Sequence, residues 1–158
     1  MKQQHKFLIV LGIIATSIAA WYLASPLFID KVVNEEILTA PDINQKNQDA
    51  SIKLTLQGKF AGADSFHQVR GAAKIIEKDT KRYLVLENFE STNGPDLKLY
   101  LSTDKKATAF VDLGALKGNI GNQQYEIPKE VDLKKYNYAL IWCRAFGVLF
   151  GSAELSSG

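Results

Sequence analysis

From residue 51 onward the sequence keeps one rhythm, a period of two that turn-forming residues break every few positions. Ile52, Leu54 and Leu56 alternate with Lys53, Thr55 and Gln57, the pattern of a half-exposed strand. Segments 72–77 and 82–89 flank Lys78-Asp79-Thr80-Lys81, which predicts a turn between antiparallel strands. Asn93-Gly94-Pro95-Asp96 is a strong turn signal, because glycine takes positive φ freely and proline fixes its own φ. Directly after it, Leu97, Leu99 and Leu101 alternate with Lys98, Tyr100 and Ser102. Further strands are expected over 110–113 and 124–127, separated by a glycine-rich bend over 114–121. Tyr138, Leu140 and Trp142 alternate with Ala139, Ile141 and Cys143, and this run is apolar enough to be buried on both faces. Arg144-Ala145-Phe146 interrupts it, and 147–155 reads as the second strand of a hairpin.

No stretch beyond residue 50 carries a helical stripe; only 131–136 has room for one short turn. Short strands divided by frequent turn signals predict an all-β fold, an antiparallel β-sandwich or barrel-like domain over 51–158. Its length suits one such domain.

The part before it is of another kind. Residues 7–29 carry no charged side chain, and about 20 apolar residues suffice for a helix to cross the hydrocarbon layer. Trp21 and Tyr22 fall near the far end, where amphipathic rings favour the interface. Lys2 and Lys6 precede the run; Asp30, Lys31, Glu35 and Glu36 follow it. By the positive-inside rule this predicts a cytoplasmic tail over 1–6, one transmembrane anchor over 7–29 in contact with membrane lipid, and an extracytoplasmic β-domain. A cleaved signal peptide needs a shorter apolar core ending in small residues, and Ile18-Ala19-Ala20 meets that pattern only imperfectly. Residues 30–50 read as a juxtamembrane linker, broken at Pro41 and polar over 44–49.

Residue counts narrow the chemistry. One cysteine excludes a four-thiolate zinc or iron–sulfur site within the chain. His5 and His67 are the only histidines, and the expected topology puts them on opposite sides of a membrane, so a two-histidine copper site is not expected. The sequence requires no metal and no cofactor. From 51 to 158 there are 15 lysines and arginines against 12 aspartates and glutamates, interspersed, so no nucleic-acid surface is predicted. Asp64-Ser65-Phe66-His67 holds an acid, a hydroxyl and an imidazole, but no nucleophile elbow accompanies it. A polar loop is the expectation there. Cys143 has no partner cysteine for an internal disulfide. It is buried in the core, paired between chains, or a reactive thiol.

Three segments sharpen this. Gly94-Pro95-Asp96-Leu97-Lys98-Leu99-Tyr100-Leu101, the run from Leu116 to Pro128, and Ile141-Trp142-Cys143-Arg144-Ala145-Phe146-Gly147 with its continuation to Ala153 together resemble the DM13 domain. Gly58-Lys59-Phe60, His67 and Gly71 fall at the family's opening glycine–histidine–glycine pattern. The resemblance covers nearly all of 51–155. It implies an extracytoplasmic β-module that passes electrons through a cysteine, here Cys143, with Asp96 and Trp142 at two further matched positions. His67, the one imidazole of the outer domain, is the candidate partner for a Cys143 thiolate. With one thiol per chain, the cycle needs a redox partner protein or a second copy. The alternative is a binding or adhesion domain in which Cys143 only packs, displaying the loops 61–68, 91–96 and 116–123.

Overall fold

The computed structural model describes residues 2–25, 28–38 and 52–157. Two antiparallel sheets face each other. One is ordered β1 (Ile52–Lys59), β3 (Val69–Lys78), β4 (Lys81–Ser91), β7 (Ile120–Ile127). The other is ordered β2 (Ala61–Gly62), β9 (Val148–Glu154), β8 (Tyr138–Cys143), β5 (Leu97–Ser102), β6 (Phe110–Ala115). The sheets do not close on each other, so the fold is a sandwich and not a barrel.

The alternation sets which side chains meet. Leu97, Leu99 and Leu101 of β5 and Ala139, Ile141 and Cys143 of β8 point inward against Ala73, Ile75, Leu84 and Leu86 of the facing sheet. Each large aliphatic side chain removed from water here contributes roughly 1.5–3 kcal/mol. The two expected hairpins form. β3 and β4 close at Lys78↔Lys81 with Asp79 at φ 55°, and β8 pairs β9 around a turn with Gly147 at φ 65°. β8 is buried on both faces over Ala139, Leu140 and Ile141, as its composition predicts. Segment 131–136 makes turns but no helix.

Two expectations change. α1 (Lys2–Ala24) begins in the polar Lys2-Gln3-Gln4-His5-Lys6 and ends before residue 29. Its uncharged part from Phe7 to Ala24 is 18 residues, a rise of roughly 27 Å against a hydrocarbon thickness of about 30 Å. Among the described residues no helix is long and apolar enough to cross a membrane, so the expected span over 7–29 does not appear.

The second change concerns the linker. Its polar part, 44–49, and Pro41 lie outside the described residues, but 30–38 is not a loose stalk. It lies along the free edge of β7 with a parallel bridge Val32↔Ile120. Val33 N donates to Ile120 O at 2.8 Å and Glu35 N to Asn122 O at 2.9 Å. Leu38 N donates to the Gln124 side chain at 3.1 Å. Lys117 Nζ reaches both Glu35 carboxylate oxygens, at 2.7 and 2.9 Å. Gly118 and Gly121 leave room for this approach, since a Cβ on either would meet the connector's backbone. Gly121 also holds φ 104°, which a side chain would strain. The composition of 114–121 therefore marks a docking edge as well as a bend. An exposed strand edge invites pairing, and the connector satisfies it.

Candidate functional site

The site is organised by the crossing from β4 in one sheet to β5 in the other, Asn93-Gly94-Pro95-Asp96. Gly94 is required sterically: a Cβ there would stand 2.6 Å from Phe150 Cζ. The Phe150 ring therefore packs close against the turn. Asp96 takes the left-handed conformation at φ 54°, which costs an L-residue roughly 1–2 kcal/mol, although aspartate tolerates it better than most. Its backbone oxygen accepts from Arg144 N at 3.1 Å, and its Oδ2 accepts from Arg144 Nε at 2.6 Å. Lys98 Nζ lies 3.9 Å from Asp96 Oδ1. The hydrogen bond that Arg144 donates to Asp96, and then the Asp96 charge, raise the Arg144 pKa above its ordinary value.

Cys143 lies under this turn. It is the last residue of β8, flanked by Leu97 on one side and Val148 on the other. The strand-end position agrees with the sequence reading, but the side chain faces the core and is 0% exposed. Its Sγ donates to Pro95 O at 2.9 Å. That contact is attractive because sulfur carries the proton; a thiolate would face a carbonyl oxygen. Arg144 points to the other face of the strand and is committed to Asp96. It gives the sulfur no direct hydrogen bond.

His67 does not reach Cys143 by a hydrogen bond either. Its Nδ1 is 2.8 Å from Asp64 Oδ2, while the backbone N–H groups of Phe66 and His67 donate to Asp64 Oδ1, both at 2.8 Å. These bonds, the imidazole's first, hold the Asp64 carboxyl below its ordinary range. No hydrogen bond links Ser65 to His67 among the described residues, so Asp64 organises a loop and the triad arrangement is absent. The imidazole packs on Phe150, ring centroids 4.4 Å apart. His67 and Cys143 thus both connect to this turn, His67 through Phe150 and Cys143 through Pro95. Phe146, in the turn between β8 and β9, is 73% exposed.

Trp142 faces outward from the sheet, 6.4 Å from Tyr100 between ring centroids. The three loops proposed as one face do converge: Thr92 N donates to Gln68 O at 2.9 Å and Ser91 N to Asn119 O at 2.8 Å. Asp30 of the connector joins them, its Oδ1 accepting from Asn93 and Asn119 at 2.8 Å each. A cleft of about 480 Å³, lined by Asp30, Asn93, Gly94, Asp96, Leu97 and Leu116, opens beside the turn that covers the thiol. Among the described residues no group of three or more His, Cys, Asp or Glu is placed to hold a metal ion.

Sequence reasoning did not anticipate the Pro95 acceptor, the Asp96–Arg144 pair or the role of Phe150. Only one signal was present, the Gly-Pro-Asp turn before an alternating strand; that it would land on Cys143 depends on β5 pairing with β8, which periodicity does not reveal.

The family described as "Electron transfer DM13" matches residues 59–155. No curated protein and no solved structure matches the chain. The matched segment takes in His67, the turn, Tyr100, Cys143 and the Arg144 pair, and on that match the chain belongs to the DM13 electron-transfer family.

Proposed function

We propose that Cys143 is the redox group of this electron-transfer domain, a thiol held under the turn 94–96 and reached when that turn lifts. The observation that carries this reading is the hydrogen bond from Sγ to Pro95 O, which ties the sulfur to a turn held by Asp96 in a left-handed conformation and by its contacts with Arg144 and Lys98. Such a turn is a candidate for local opening without loss of the sandwich. The adjacent cleft supplies a place for a partner to press on it.

Once uncovered and ionised, the thiolate attacks a peroxide; an S–O bond forms, the O–O bond breaks and water leaves, giving a sulfenic acid. A thiol on a partner protein or a second copy displaces the sulfenic oxygen as water, giving a mixed disulfide. A further thiol then attacks the partner sulfur and releases Cys143 reduced. Two thiols are oxidised to one disulfide and one peroxide is reduced to two waters. His67, joined to the turn through Phe150, is the positioning residue of this reading. The exposed apolar side chains of α1 support contact with lipid.

A second reading has its own support. The complete burial of Cys143 and the convergence of the three loops favour a binding domain with a structural cysteine. Labelling of the native full chain separates them. If Cys143 is a gated thiol, it reacts with a maleimide much faster than the domain unfolds, and peroxide yields a sulfenic acid that a dimedone probe traps. Labelling that tracks global unfolding, with no trapped sulfenic acid, would leave the binding reading.

A further inference from the structure

The outer face of the five-stranded sheet carries a column of aromatic rings that the thiol chemistry does not use. β5 and β8 pair with Tyr100 opposite Leu140 and Lys98 opposite Trp142, which makes Tyr100 and Trp142 diagonal neighbours on one face. On the other side Tyr100 is opposite Asp112 and Ser102 opposite Phe110, which makes Phe110 a diagonal neighbour too. The rings face one another. Phe110 and Tyr100 are 4.3 Å apart with 19° between their planes, and Tyr100 and Trp142 are 6.4 Å apart with 28°. Cross-strand aromatic pairs stabilise sheets, and a purely structural role ends there.

Chemistry adds a second role. Tryptophan and tyrosine are, after cysteine, the side chains that most readily give up one electron, and electronic coupling between faces this close is strong. Phe110 is not oxidisable under such conditions; at 47% exposed it acts as a cover, leaving Tyr100 only 3% exposed. An oxidant in solution is thereby steered to Trp142, which is partly exposed. Burial, with the charge of Asp112 adding to it, holds the Tyr100 phenol above its ordinary pKa. The phenol is therefore neutral and must release its proton with its electron.

We infer that Trp142 and Tyr100 form a one-electron relay, in which a radical oxidant takes its electron at Trp142 and the hole comes to rest on the covered Tyr100. This rests on the electron-transfer reading of the domain and not on the thiol mechanism. In the first step the oxidant gains an electron and the indole, losing its N–H proton to water, becomes an indolyl radical. In the second the indolyl radical takes an electron and a proton from the Tyr100 phenol. Trp142 is restored and a tyrosyl radical remains, until a small reductant such as ascorbate returns one electron and one proton.

Pulse radiolysis tests this on the full chain carrying Trp21→Phe, which leaves Trp142 as the one tryptophan. Azide radical is the probe; it becomes azide ion as it forms the indolyl radical. The indolyl absorption should decay in a first-order process independent of protein concentration, with matching growth of the phenoxyl absorption. Tyr100→Phe, which keeps the ring and the packing, should slow that transfer by an order of magnitude or more, and Cys143→Ser should leave it unchanged. Transfer of unchanged rate in Tyr100→Phe, or decay that scales with protein concentration, overturns the relay. Loss of the transfer in Cys143→Ser alone also overturns it, because the electron would then pass through the sulfur. Failure of Cys143 to label leaves all these outcomes intact, so the two readings fail separately.

Discussion

Arg144 and Asp96 hold each other twice, backbone to backbone at 3.1 Å and guanidinium to carboxylate at 2.6 Å. Because Asp96 follows Pro95, the pair also fixes the carbonyl that Cys143 uses. Arg144→Ala removes the side-chain half of this latch and keeps the backbone half. It should raise the labelling rate of native Cys143 several-fold while the unfolding midpoint hardly moves, since exposed ion pairs contribute little to global stability. Equal labelling rates in the two proteins would show that the latch does not gate the thiol.

Gly94 adopts a backbone conformation open to alanine, so the barrier to substitution there is steric. In Gly94→Ala the new methyl group must displace the Phe150 ring, which has His67 packed on it. A destabilisation of about 1–3 kcal/mol is expected, as for overpacking of a filled site. Denaturant unfolding measures it, and the His67 imidazole resonances should shift with it.

Leu99 is fully buried between the sheets. Leu99→Asp places an unpaired carboxylate there, at a cost of about 4 kcal/mol or more. The domain should fail to fold at ambient temperature, as judged by loss of its circular dichroism strand signal. The same change at the exposed Lys53 should move stability by no more than about 0.5 kcal/mol.

Glu35 predicts a pH dependence for the docked connector. Burial acts to raise its pKa, but the hydrogen bond from Lys117, the backbone N–H of Gln124 and the Lys117 charge outweigh it and hold the pKa below 4.5. A carboxyl whose pKa is lower in the docked state favours docking above its undocked pKa. That contribution is lost as pH falls through the docked value. Hydrogen exchange at the Val33 and Glu35 amides should therefore show reduced protection, corrected for intrinsic rate, as pH drops below about 4.5. Glu35→Gln should flatten the dependence and lower protection at neutral pH. Protection that is constant across the range would show that the ion pair does not hold the connector.

The sandwich was legible because its strands are amphipathic or apolar at period two, and because Lys78-Asp79-Thr80-Lys81 and Asn93-Gly94-Pro95-Asp96 carry turn chemistry in their own composition. Cys143 at a strand end was legible for the same reason. The environment of its sulfur was not. Leu97 pairs with Cys143 across 46 residues of chain, and only that register puts Pro95 O over the thiol. The docking of the connector was not legible because packing against β7 needs few apolar side chains. Backbone hydrogen bonds carry it, and those leave no mark on hydropathy. Tyr100 and Phe110 were invisible as a pair for a simpler reason, that they lie on different strands.

The connector's hydrogen bonds have a consequence for the order of assembly. They join residues 63–89 positions apart, and such distant contacts can form only after the chain between them has been arranged. During synthesis residues 30–38 emerge long before β7 exists to receive them. Docking therefore comes among the last events of folding, after β4 and β7 have paired. The segment that precedes the domain in the sequence is the one that closes it in time.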